Sequence, residues 1–146
     1  MRTVITIVLL LFVASAVVML LFGPSAKVSD EAAPSTKITA YYFHNTARCV
    51  TCLAIEAQAK KVVEERFVKE VQSGQLAFLS VNMEEPGNAH FTSDFELVSQ
   101  SLVLVENSDQ GPARWRVLGR VWELIGNDSA FVEYVEMQTR AFVAGT

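Results

Sequence analysis

The sequence predicts an α/β domain, a central mixed sheet with helices on both faces, and its hydrophobic pattern carries that expectation in three places. Short β-branched and aromatic runs alternate with stretches of three- and four-residue periodicity. The first two runs flank one long helical stretch, the arrangement of a parallel βαβ unit. The last two are separated only by a turn, so they pair back as an antiparallel hairpin ahead of a closing helix.

ITAYYFH (38–44) is β-branched and aromatic and reads as a buried strand. From Cys52 to Gln72 the apolar residues Ile55, Ala59, Val62, Val63, Phe67 and Val71 recur at helical steps. Lys60, Lys61, Glu64 and Glu65 lie outside that face, and Gly74 stands just past its end. LAFLSV (76–81) is almost continuously apolar, as expected of a parallel strand covered on both faces. EEPGN (84–88) is a break, followed by a short helical piece around Ala89 to Phe95. LVLVE (102–106) is another buried strand, NSDQGP (107–112) a turn, and ARWRVL (113–118) the returning strand. A last helix opens at Asn127 or Asp128 as N-cap and carries Phe131, Tyr134, Val135, Gln138 and Phe142 along one side. Trp115 and Trp122 are expected to pack the hairpin and the helix after it.

The chain has 146 residues, 51% of them apolar, and the apolar excess is concentrated near its start. Residues 4–22, VITIVLLLFVASAVVMLLF, run 19 in a row without a charge. As a helix they reach roughly 28 Å, about the hydrocarbon thickness of a bilayer. Behind a short tail (1–3), this stretch is either a signal sequence or a transmembrane anchor. It is longer than a signal's apolar region, and FGPSAK offers only a poor cleavage site, so an uncleaved anchor is favoured. Residues 23–37, GPSAKVSDEAAPSTK, read as a flexible tether, leaving 38–146 as the folded domain. A short tail before a long apolar segment places that domain on the extracytoplasmic side. All 16 acidic residues follow residue 22, against 11 of the 12 basic ones, with no basic block. That balance gives nucleic-acid binding no electrostatic support.

The only two cysteines, Cys49 and Cys52, stand in FHNTARCVTC (43–52), between the first strand and the long helix. At a helix start the unpaired N–H groups and the helix dipole favour a thiolate on the first cysteine, while the second points inward. Three uses remain open: a redox-active dithiol, a metal site completed by His44, or an inert disulfide. The last constrains little, because the loop closed is short. Copper(I), which favours thiolates, is the metal such a Cys49, Cys52 and His44 set would suit.

The order β-CxxC-α-β-α-β-β-α, with CVTC after YYFHNTAR, resembles the thioredoxin superfamily over about Ile38 to Phe142. The resemblance implies thiol–disulfide exchange with protein thiols or disulfides, Cys49 attacking and Cys52 resolving, with no cofactor beyond the redox-active disulfide. A membrane electron-transfer partner would then supply or remove electrons. Three positions depart from that pattern. Arg48 replaces the usual tryptophan and, as a cation beside Cys49, favours the thiolate further. The position of the family's buried acid falls on Phe43, leaving Glu56, one turn along the helix, as a candidate to assist Cys52. Ser101 is the nearest match to the family's cis-proline, so the substrate groove would be shaped by a non-proline loop.

Overall fold

The computed structural model describes residues 37–145. The stretches expected to form tail, anchor and most of the tether lie outside the described residues. Among the described residues no helix is long and apolar enough to cross a membrane.

The chain runs β1 (Ile38–His44), α1 (Val50–Arg66), α2 (Val68–Gln72), β2 (Leu76–Asn82), α3 (His90–Asp94), β3 (Ser101–Ser108), β4 (Gly111–Val117), α4 (Val121–Leu124) and α5 (Asp128–Val143). The four strands form one mixed sheet in the order β2-β1-β3-β4. β1 pairs parallel with β2 in the register Ile38↔Leu76, and antiparallel with β3 in the register Tyr42↔Leu102. β3 and β4 form the hairpin, turning at Gly111, whose φ of 108° is a conformation that side-chain-bearing residues rarely adopt.

Alternation along the strands divides the core between the two faces of the sheet. Ile38, Ala40 and Tyr42 of β1 join Leu102 and Leu104 of β3 against Ile55, Ala59, Val62 and Val63 of α1, with Phe131, Val135 and Phe142 of α5. Phe43, Val103 and Val105 project to the opposite face, under Phe95 and the partly buried Phe91. The expected α/β class, with helices on both faces of a mixed sheet, is what the structure has.

Two expectations change in detail. The single helix from Cys52 to Gln72 is interrupted at Phe67, whose backbone leaves helical values (φ −124°, ψ 38°). Phe67 is buried in the larger cluster and Val71 packs against it, so apolar periodicity continues through a break in the backbone helix. β2 is not covered on both faces: it is an edge strand, and Leu79 is 43% exposed. Its continuous apolar run belongs to a strand with one neighbour.

At the other end, Asn127 is the N-cap of α5, its Oδ1 accepting from the Ala130 N–H at 3.2 Å. Both tryptophans are partly exposed. Trp115 meets Phe95 edge-on at 5.9 Å, and the Trp122 indole donates to the Gln100 carbonyl at 3.0 Å.

Candidate functional site

The parallel pairing of β1 with β2 requires the chain to cross over through α1, and the loop that feeds α1 leaves from the end of β1 at His44. That loop is tied to the segment after β2. The Met83 N–H donates to the His44 carbonyl at 2.8 Å, and the Thr46 N–H to Glu84 Oε2 at 2.9 Å. Asn82 Nδ2 donates to Thr46 Oγ1 at 3.0 Å and Asn82 Oδ1 accepts from the Glu84 N–H at 3.0 Å. The Thr46 bonds hold the Glu84 carboxyl below the usual range. The dithiol loop therefore starts from a fixed point.

Cys49 is the N-cap of α1. Its backbone is extended (φ −87°, ψ 160°), its carbonyl accepts the first helical bond from Leu53 N–H at 3.0 Å, and its Sγ accepts from Cys52 N–H at 3.0 Å. Sulfur thus occupies the place usually taken by a Ser or Asp oxygen, facing one of the helix's orphan donors. Cys49 and Cys52 are joined by a disulfide with Cα atoms 5.0 Å apart. Cys49 is exposed, whereas Cys52, one turn in, is only 2% exposed. One sulfur faces solvent and the other faces the core, as the sequence predicted from a helix start.

The other expected residues are distributed as follows. Arg48 pairs with Glu56 through its guanidinium, which also lies over the Tyr42 ring at 5.9 Å. Glu56 is thus engaged by Arg48 across the first turns of α1. His44 is half-buried, and its Nδ1 donates to the Asn45 carbonyl at 2.9 Å. Ser101 opens β3 opposite Phe43, at the end of the sheet from which the dithiol loop departs. Its hydroxyl donates to the Ser99 carbonyl at 2.9 Å, and no cis peptide occurs among the described residues. Phe43 lies on the face of the sheet away from α1, in the smaller cluster.

The residue that does stand behind the dithiol is Tyr42. It is fully buried beneath α1, and its hydroxyl donates to the Cys52 carbonyl at 2.9 Å. Burial pushes its phenol above the ordinary value, offset in part by the Arg48 charge. The signal for it is in the sequence: in ITAYYFH the period of two puts Ile38, Ala40 and Tyr42 on one face, so the residue seven before Cys49 meets the helix rather than the one six before.

Among the described residues no group of three or more His, Cys, Asp and Glu side chains is placed to hold a metal ion. No family model, no curated protein and no solved structure matches the chain.

Proposed function

We propose that the protein is a thiol–disulfide oxidoreductase of thioredoxin-like type, tethered to a membrane through residues 4–22 and acting on protein thiols or disulfides outside the cytoplasm. The observation that carries the proposal is an exposed Cys49 at a helix N-cap, disulfide-bonded to a buried Cys52. The sheet order β2-β1-β3-β4, with the dithiol between β1 and the crossover helix, agrees with the order of elements in that superfamily. The tether and its topology rest on the uncharged run of residues 4–22.

In the reducing direction, the Cys49 thiolate attacks one sulfur of a substrate disulfide, forming a mixed disulfide and releasing a substrate thiolate that takes up a proton. Cys52 then loses its proton and attacks Cys49 Sγ, closing the Cys49–Cys52 bond and releasing the second substrate thiol. Two electrons pass from the protein to the substrate. The oxidising direction is the same sequence reversed. The N–H of Cys52, already bonded to Cys49 Sγ, stabilises the charge that Cys49 carries in both directions.

The test is exchange between the reduced full-length protein, in detergent, and a protein disulfide. Wild type turns over, Cys49→Ser is inactive, and Cys52→Ser accumulates a mixed disulfide trapped at Cys49. Absence of turnover, with tight one-to-one Cu(I) binding that is lost in Cys49→Ser, would instead mark a metal-handling domain.

A further inference from the structure

Arg48 is arranged in a way that the exchange reaction alone does not require. Its guanidinium is bound to the Glu56 carboxylate and lies over the Tyr42 ring at 5.9 Å, one residue before the exposed sulfur of Cys49. Both side chains of the ion pair are about four-fifths covered, with 22% and 21% of their surface accessible. Arg48 Nε is buried and has no acceptor. A buried N–H of a cation without a partner is costly, and the cost falls when an acceptor of opposite charge comes within reach. In the oxidised protein Cys49 has no charge to offer. In the reduced protein a thiolate appears on the residue next in the chain.

We infer that Glu56 is a positioning residue that restrains Arg48, and that reduction of the disulfide redistributes the guanidinium between the Glu56 carboxylate and the Cys49 thiolate. The inference rests on the redox reading of the dithiol and specifies what sets its poise. The step is reduction by two molecules of glutathione: the Cys49–Cys52 bond breaks, the glutathione disulfide bond forms, and two electrons pass to the protein. The two protons leaving glutathione go to Cys52 and, where Cys49 remains a thiolate, to solvent. The more the surroundings favour that thiolate, the more stable the reduced form and the more oxidising the disulfide. Arg48 favours it. Glu56 opposes it twice, by occupying the guanidinium and by placing a like charge two turns along the helix that Cys49 caps. The other polar groups of the dithiol segment are already engaged: the Cys52 N–H is bonded to the sulfur, the Tyr42 hydroxyl donates to the Cys52 carbonyl, and His44 Nδ1 to the Asn45 carbonyl.

The experiment equilibrates the full-length protein with glutathione buffers and counts thiols by alkylation and mass, alongside the ultraviolet absorbance of the Cys49 thiolate as pH is varied. Glu56→Gln, which keeps the side chain's shape, shifts the equilibrium toward the reduced protein by roughly two- to tenfold and moves Cys49 ionisation to lower pH. Arg48→Met moves both in the opposite direction, and Arg48→Lys retains part of the wild-type behaviour. In the Arg48→Met background, Glu56→Gln has less than half its effect. The inference is overturned if Glu56→Gln leaves equilibrium and ionisation unchanged, or acts equally with and without Arg48. A wild-type protein that does not exchange with glutathione at all would overturn the redox reading itself, a result distinct from either.

Discussion

Replacing Tyr42 with Phe removes one oxygen from beneath the dithiol and leaves the ring in place. That hydroxyl donates to the Cys52 carbonyl at 2.9 Å from a fully buried position. A neutral buried hydrogen bond contributes about 0.5–1.5 kcal/mol net. The carbonyl is not orphaned by the change, because Cys52 is in the first turn of α1 and its oxygen also faces the helical N–H four residues on. The expected loss is therefore about 1 kcal/mol. At a urea dependence of roughly 1–3 kcal/mol per molar, the unfolding midpoint should fall by about 0.3–1 M with the slope unchanged. The phenol also gives the loss a pH signature. Burial raises its ionisation above the ordinary 10.0 in the folded state. Wild-type stability attributable to this group is complete below that value and declines as pH rises from the unfolded toward the folded ionisation. In Tyr42→Phe this alkaline decline is absent. An unchanged midpoint, or an alkaline limb identical in the two proteins, would refute the assignment of Tyr42 as the buried support of the dithiol turn.

Other outcomes follow from the same contacts. Asn127→Ala removes the α5 N-cap bond to Ala130 and should cost about 1 kcal/mol in urea unfolding, with Asn127→Ser retaining most of it. Glu84, its carboxyl held low by Thr46, stabilises the dithiol loop at pH above the unfolded carboxyl value. That contribution is lost as pH falls through the depressed folded value, so Glu84→Gln should flatten the acid limb of a stability–pH profile. Reducing the disulfide, which spans a sequence separation of 3, removes at most about 2 kcal/mol of chain-entropy stabilisation. The loss measured in matched oxidised and reduced samples should be smaller still, since the Cys49 thiolate gains what the Cys52 N–H offers.

Much of the architecture was legible because it follows from local periods. The switch from alternating to helical spacing after His44, the turn at 107–112 and the Asn127 cap each depend on neighbours a few residues apart. The interruption at Phe67 was not legible, because Phe67 and Val71 keep their helical spacing while the backbone between them does not. The continuous apolar run of β2 suggests an enclosed strand, yet which strand ends at an edge depends on pairings between segments distant in the chain. At the site, Cys49 and Cys52 were found from their spacing and from the elements on either side. The superfamily pattern puts its buried acid at the position of Phe43 and so leaves only Glu56 as a candidate to assist Cys52, whereas strand alternation places Tyr42 behind the dithiol. Glu56 was visible as a residue one turn from Cys52. That Arg48 reaches it required knowing how the loop before α1 folds back over the first turn.

The account stands most directly on whether the Cys49–Cys52 bond exchanges electrons with other proteins. A single-turnover measurement mixes the reduced full-length chain with a protein disulfide and follows, by quenched alkylation and mass, the thiols lost from one and gained by the other. The account predicts that two thiols disappear from Cys49 and Cys52 as two appear in the substrate, through a mixed disulfide at Cys49 that persists in Cys52→Ser. A Cys49–Cys52 pair whose thiols remain while the substrate stays oxidised would contradict it.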